Sequence, residues 1–262
     1  MSKETYAEKI AKLLRKAEST TPEEAELLYQ KAQELMAKYS IDEAMVAAAS
    51  GTSARNDDPI VKEEFVCVGI YRHALVELTF HVLHNNGIKV VQAHGSPWRQ
   101  VNGKVYKETR VLYAVGYKSD IDRARALEIS LHLQAMRAEN QWWSEHQGLY
   151  GHVTSGEKHR ARRGFLFGFS TGAGVKLAEA TSRGRKLADE EHGSDSVALV
   201  LRDKSLMVQD EFTKLFPDLR SVKDRKSRGD SFARSKGYEK GKTADVGQPG
   251  ISGRRKALNT GK

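Results

Sequence analysis

The chain has 262 residues, a net charge of +9 and a hydrophobic fraction of 39%, which is low for a compact globular protein. That composition supplies one substantial core diluted by polar segments. No apolar run approaches the roughly 18 residues that cross a bilayer, and residues 1–14 lack the continuous apolar stretch of a signal peptide. The single cysteine, Cys67, cannot form an internal disulfide. These features predict a cytoplasmic protein that has no membrane partner.

Apolar residues at helical spacing predict a hairpin of two helices over residues 1–50. In the first helix Tyr6, Ile10 and Leu13 share one face. The sequence STTPEE then places a threonine directly before a proline, which is the order of an N-cap and a first helical position. Residues 51–60 are polar and turn-rich, so we expect a linker there.

Residues 61–218 are predicted to form an α+β domain, because short runs rich in β-branched residues alternate with longer stretches at helical spacing. We expect a small antiparallel sheet packed by long helices, so the fold class is α+β and predominantly helical. The predicted strands span 66–70, 88–93, 109–117 and 197–201, and the predicted helices span 71–84, 120–143, 157–191 and 204–216.

Positive charge is concentrated towards the C-terminus, and residues 219–262 are predicted to be a basic, largely disordered tail. Residues 1–200 contain 27 basic and 26 acidic side chains, whereas residues 201–262 contain 16 and 8. Apolar residues are too sparse in the tail for it to fold alone, although residues 230–242 have a sequence that becomes helical on a partner. Basic arms contact polyanions, because each neutralised phosphate releases condensed counterions. The alternatives are a solvated tail that aids solubility and an anionic protein partner.

A second basic element is predicted at the start of the helix over 157–191. Cations there oppose the helix dipole and need a compensating partner such as phosphate. In the tail, glycine spacing keeps the chain extended, which suits contacts to a nucleic-acid backbone more than base reading. The candidate nucleic-acid-binding residues are Arg160, Arg162, Arg163, Lys223, Arg225, Lys226, Arg228, Arg234, Lys236, Arg254, Arg255 and Lys256.

Gly164, Gly168 and Gly172 are spaced one helical turn apart on this predicted helix. Each glycine costs roughly 1 kcal/mol relative to alanine inside a helix, so three on one face need a structural reason. Such a stripe lets another helix approach closely, and we predict tight packing within the core or in a homodimer. Close approach to a phosphate backbone is the alternative.

No catalytic or metal-binding motif is recognisable, so the sequence favours a protein without enzymatic activity, metal or cofactor. His81 and His84 lie three residues apart on a predicted helix but lack a third ligand at diagnostic spacing. The sequence GYEKGKT at 237–243 is one residue short of a phosphate-binding loop and follows no apolar strand, so nucleotide binding is not expected. Trp142 and Trp143 are assigned to anchoring in the core or in an interface.

The first 42 residues contain several strings that carry a family resemblance, among them AEST at 17–20, EA at 24–25 and KAQELMAKY at 31–39. These strings resemble an uncharacterised family of bacteria and their phages, known as domain of unknown function 2786. Further along, VGY at 115–117 and RGF at 163–165 resemble the companion C-terminal domain of that family. The resemblance implies a shared fold and a phage or prophage setting. It transfers no catalytic residue, because the family has no established activity.

The sequence therefore predicts a phage-type accessory protein that binds nucleic acid non-specifically through its basic tail. The alternative is a protein-interaction module that docks on a host protein through the hairpin of residues 1–50 and has no nucleic-acid role. The first hypothesis predicts salt-sensitive binding that is lost when residues 220–262 are deleted, and the second does not. The choice between DNA and RNA, and the oligomeric state, are left open by the sequence.

Overall fold

The computed structural model describes residues 58–93, 98–101, 103–192, 194–219 and 230–246. The predicted N-terminal hairpin and most of the predicted linker lie outside these ranges. Within them the protein is predominantly helical with small antiparallel sheets, which confirms the predicted α+β class.

The secondary structure changes in character along the chain, from strands joined by one helix to a series of long helices. A short 3-10 turn at Gln147–Tyr150 separates two of these helices. The strands are β1 (Ile60–Cys67), β2 (Lys89–Gln92), β3 (Arg99–Val101), β4 (Lys104–Tyr106) and β5 (Arg110–Tyr117), and the helices are α1 (Arg72–Asn85), α2 (Lys118–His146), α3 (Ser155–His192), α4 (Ser194–Leu215) and α5 (Ser231–Lys242).

The larger sheet has β5 at its centre, with β1 and β2 as antiparallel neighbours, while β3 and β4 form a separate hairpin. β1 pairs with β5 along its whole length, from Ile60 opposite Tyr117 to Cys67 opposite Arg110. Successive side chains of a strand point to opposite faces, so the even-numbered residues of β5 share a face with Phe65 and Cys67. Nearly all of β5 is buried, which shows that both faces of the sheet are covered.

Helices provide that cover. α1 and α2 pack on the Phe65 face, where Leu78 and Leu131 are fully buried in the core. The other face carries α4, and the ring of Phe216 just beyond it lies 6.0 Å from the ring of Tyr113. α3 packs against α1 and α2, and α5 packs against α3. The fold is thus layered, with α5 at its outer edge.

The predicted strand over 197–201 is wrong, because these residues lie inside α4. Their run of five apolar residues has the length of a buried strand, but periodicity alone cannot separate such a run from part of a helix. The residues that follow, 202–215, keep helical spacing, and a helix once nucleated extends at little cost through its neighbours.

The structure also differs from the predicted disordered tail at residues 230–246. α5 is a regular helix in which Ala233, Gly237 and Gly241 are buried. Sparse apolar content misled the prediction, because this helix is held by close backbone packing rather than by large apolar side chains. Residues 220–229 and 247–262 lie outside the described part of the chain.

Candidate nucleic-acid interface

A seam of glycines joins α3 to α5. A Cβ added at Gly168 of α3 would lie 2.8 Å from the backbone nitrogen of Tyr238, and one at Gly237 of α5 would lie 2.7 Å from the carbonyl carbon of Phe165. Packed helices are normally 8–10 Å apart, at a distance set by the side chains between them. Because β-carbons are missing on both sides of this seam, the two backbones touch.

The seam also sets the direction of α5. Gly164 faces Asp230, and Gly172 faces Lys242, so α5 runs parallel to α3. The three glycines predicted to pack against another helix, Gly164, Gly168 and Gly172, therefore all face α5 of the same chain. The start of α5 consequently lies beside the basic start of α3.

Hydrogen bonds hold α5 at both ends. Tyr150 Oη donates to Asp230 Oδ2 at 3.1 Å, and Asp230 Oδ1 accepts the backbone N–H of Ala233 at 2.9 Å as an N-cap. Burial, reinforced by the Asp230 carboxylate, raises the pKa of Tyr150 to about 12, so the phenol remains a donor. Beyond the other end, the Gln134 amide donates to the carbonyl of Asp245 at 3.0 Å and accepts its N–H at 2.8 Å.

The outer face of α5 is cationic. Arg234, Lys240 and Lys242 are exposed, while the half-buried Lys236 pairs with Glu239 at 3.0 Å. Ala233, Gly237 and Gly241 are taken up by the seam, so the long basic side chains extend from the exposed part of the helix. We call the exposed Arg234, Lys240 and Lys242 the basic ridge.

The three arginines predicted at the start of α3 have different roles. Arg162 binds both carboxylate oxygens of Glu139, whose side chain is 0% exposed, and donates to Asn140 Oδ1 at 2.9 Å. Its hydrogen bond to Glu139 is the main reason that the pKa of Arg162 is raised. Glu139, rather than phosphate, thus compensates this cation. Arg160 is exposed and Arg163 half-buried, so both remain able to meet an anion.

Arg163 belongs to a basic region around His73, at the start of α1. Arg110 Nε donates to His73 Nδ1 at 3.3 Å, and Arg72 forms an ion pair with Glu108. Burial lowers the pKa of His73, and the charges of Arg110, Arg72 and Arg163 lower it further. His73 is therefore neutral at pH 7, and the positive charge of the region comes from the guanidinium groups of β5, α1 and α3.

The hairpin of β3 and β4 is a basic element that the sequence analysis missed. Lys104 and Lys107 are exposed on it, while Arg99 pairs with Glu64 at 3.5 Å. Trp98, directly before β3, is 68% exposed, which is unusual for the largest side chain. An exposed aromatic ring beside cations is suited to stacking on a nucleobase. The sequence could have indicated this element, because Trp98 lies in a turn-rich stretch that contains basic residues and no carboxylate up to Lys107.

The remaining predicted contact residues cannot be placed. The sequence puts four of them shortly before Asp230, the cap of α5. The residues concerned lie outside the described ranges and are Lys223, Arg225, Lys226, Arg228, Arg254, Arg255 and Lys256.

Trp142, assigned by the sequence analysis to anchoring, packs in the core, and the stretch weighed as a phosphate-binding loop is a helix. The ring of Trp142 is buried and stacks on Phe165, with centroids 5.0 Å apart. The stretch 237–243 is helical as far as Lys242, and its two glycines face α3. It therefore lacks the loop of free backbone amides that cradles a phosphate.

The two histidines considered as metal ligands pack against neighbouring groups. The ring of His84 stacks on Phe80, with centroids 5.5 Å apart. The ring of His81 lies against Gly174, whose missing side chain leaves room for it, and burial is the main cause of the lowered pKa of His81. Among the described residues, the potential ligands that converge on one position are different ones: Cys67, Glu128 and His132.

The fold and this surface define the class of the protein: an α+β domain with a cationic helix docked at its outer edge. Residues 6–43 match a family described as protein of unknown function (DUF2786), which supports the resemblance found in the N-terminal residues. The match lies outside the described residues and includes none of the candidate interface residues. Neither curated proteins nor solved structures give a match. Within the described ranges, no helix is long and apolar enough to cross a membrane.

Proposed function

We propose that this protein binds nucleic acid non-specifically through its C-terminal segment, residues 220–246, as a cytoplasmic accessory protein of phage or prophage type. The observation that carries the proposal is the docking of α5. The glycine seam fixes this helix on the body of the protein and leaves the basic ridge turned towards solvent.

Exposed cations on a fixed helix suit contacts to a phosphate backbone. Arg234 and Lys242 are separated by eight residues, which is about 12 Å along a helix. Each strand of a duplex carries one charge per about 3.4 Å of axis, so this length faces three to four phosphates of one strand. Because α5 is already ordered, binding orders fewer groups than it would with a free arm, and less conformational entropy is lost.

Other cationic groups extend this surface. Arg160 is exposed at the start of α3, beside which α5 begins. The basic sequence of residues 223–228 leads into α5 at the same end. None of these groups forms a pattern that reads base edges, so we expect contacts to phosphates and little sequence preference.

The salt dependence of binding tests the proposal, measured by fluorescence anisotropy with labelled duplex DNA and with single-stranded RNA. The triple variant Arg234→Gln, Lys240→Gln, Lys242→Gln removes the basic ridge and leaves the seam intact. If each cation meets one phosphate, the slope of log K against log salt becomes shallower by about 2.7 on duplex DNA, at about 0.9 per contact. Over a fourfold rise in salt, the variant should then lose roughly 40-fold less affinity than the wild-type protein.

A matched control is the variant Arg183→Gln, Lys186→Gln, Lys214→Gln, which removes the same charges from exposed positions of α3 and α4. It should keep the wild-type slope. An equal change in both variants would mean that binding follows net charge and not the basic ridge. If full-length protein binds neither probe at low salt, the proposal fails and the protein-interaction hypothesis for residues 1–50 is favoured.

A further inference from the structure

Four donor atoms from three elements converge inside the protein. Cys67 ends β1, Thr79 belongs to α1, and Glu128 and His132 lie one turn apart on α2. The ligand atoms of Cys67, Glu128 and His132 all lie within 4.8 Å of one another. Thr79 Oγ1 lies among them, at 3.6 Å from Cys67 Sγ, 3.1 Å from Glu128 Oε1 and 3.0 Å from His132 Nε2.

These separations are close to those of a tetrahedral metal site. With a Zn–S bond of about 2.3 Å and Zn–N and Zn–O bonds of about 2.0–2.2 Å, neighbouring donors are about 3.3–3.7 Å apart. His132 Nε2 and Glu128 Oε1 are already 3.6 Å apart. The widest separation among the three ligand atoms, at most 4.8 Å, needs to shrink by only about 1 Å.

The orientation of the imidazole distinguishes a metal site from a catalytic triad. In a triad, one ring nitrogen faces the nucleophile and the other faces the carboxylate, so that a proton is relayed across the ring. Here Nε2 of His132 lies 3.0 Å from Thr79 Oγ1, 3.6 Å from Glu128 Oε1 and 3.3 Å from the carbonyl oxygen of Leu75. The nucleophile-like hydroxyl and the carboxylate thus lie at the same ring nitrogen, as two ligands beside a third do around a shared ion, and not at opposite ends of the ring.

The donor set is also balanced in charge for a divalent ion. A thiolate and a carboxylate neutralise two positive charges, and an imidazole ligand is neutral. The thiol of Cys67 would give up its proton when an ion binds. The side chains of Glu128 and His132 are 12% and 21% exposed, which gives an ion access from solvent.

We propose that Cys67, Glu128 and His132 bind a divalent transition metal of the zinc class, with the Thr79 hydroxyl as a weak fourth donor. One soft thiolate, one imidazole and one carboxylate are ligands that zinc accepts and that magnesium and calcium do not prefer. The ion ties β1, α1 and α2 together across the core. On binding, a metal–sulfur bond replaces the S–H bond of Cys67, and the proton leaves to solvent.

Cobalt(II) titration of the full-length protein, stripped with a chelator and kept reduced, is the test. Because the chain has a single cysteine, a thiolate-to-cobalt charge-transfer band reports on Cys67 alone. We expect this band to saturate at one equivalent, together with the intense visible bands of tetrahedral cobalt, and added zinc to abolish both. Absence of the band in the wild-type protein overturns the proposal, whatever the variants do.

Variants then identify the ligands. Cys67→Ser should lose the charge-transfer band, and His132→Gln should weaken cobalt binding at least about 100-fold, since even outer partners of a metal ligand are worth 10- to 100-fold. The control His84→Gln removes an exposed histidine that stacks on Phe80 and should leave both unchanged. Equal cobalt affinity in His132→Gln and wild type overturns the site, even if a band is present. Nucleic acid is absent from the assay, so its outcome is independent of the proposed function.

Discussion

Replacing Gly168 by alanine should separate α5 from α3. The new Cβ would lie 2.8 Å from the backbone nitrogen of Tyr238 and closer still to the carbonyl oxygen of Arg234. Ordinary contact begins at 3.4 Å, so the Tyr238 nitrogen alone requires a separation of 0.6 Å and the nearer Arg234 oxygen requires more. Both obstructing atoms belong to a helix backbone, so neither can rotate away as a side chain does.

The expected loss of stability follows from two opposing terms. Overpacking costs about 1–3 kcal/mol and occasionally more, whereas alanine gains roughly 1 kcal/mol over glycine in helix propensity. A rigid backbone obstacle places the cost at or above the upper end of that range. We therefore expect Gly168→Ala to lower the free energy of unfolding by about 2 kcal/mol, which is about 4–8 °C in Tm for a protein of this size.

Urea unfolding followed by circular dichroism measures this loss. The control is Gly156→Ala in the first turn of α3, where a Cβ would meet only Thr154 Oγ1 at 3.9 Å. Its urea midpoint should stay the same or rise slightly. A midpoint for Gly168→Ala at or above that of the wild-type protein would show that α5 does not lie against α3 at backbone contact.

Two further predictions concern buried titratable groups. Arg162→Met leaves the buried Glu139 carboxylate without its partner and should lower the free energy of unfolding in urea by about 3 kcal/mol. The control Arg160→Met, at an exposed position, should change it by no more than about 0.5 kcal/mol. Equal effects of the two substitutions would contradict the buried ion pair. The lowered pKa of His81 means that the unfolded chain binds a proton more readily than the folded one. Stability is then full above the unfolded pKa of about 6.5 and is lost as the pH falls towards the folded value. Urea midpoints between about pH 7 and 5 should therefore decline less in His81→Gln, and identical profiles would be evidence against this role of His81.

Much of the fold follows from local sequence patterns. The strand predicted over 109–117 is observed as β5, and the helix predicted over 157–191 is observed as α3 without a break at its glycines. The first is a run rich in β-branched and aromatic residues and the second is long, so composition and length indicate their type. The short apolar run at 197–201 was assigned wrongly because it holds too few residues to show a period.

The candidate sites depended far more on tertiary structure. Arg162 has the same sequence environment as Arg160, yet one binds the buried Glu139 and the other faces solvent. Cys67 and His132 are 65 residues apart in the sequence and come from β1 and α2. Only the four-residue spacing of Glu128 and His132 on one helix face was available as a local signal.

The sequence by itself indicated that the protein is predominantly helical and that its C-terminal part is basic, and it favoured the close approach of another helix to Gly164, Gly168 and Gly172. It did not determine which helix. The spacing of the glycines shows that one face of the helix can be approached closely. Which helix approaches it depends on contacts between residues far apart in the sequence. The partner is α5, in a stretch whose few apolar residues predicted disorder, because glycines on both helices replace side-chain burial with backbone contact.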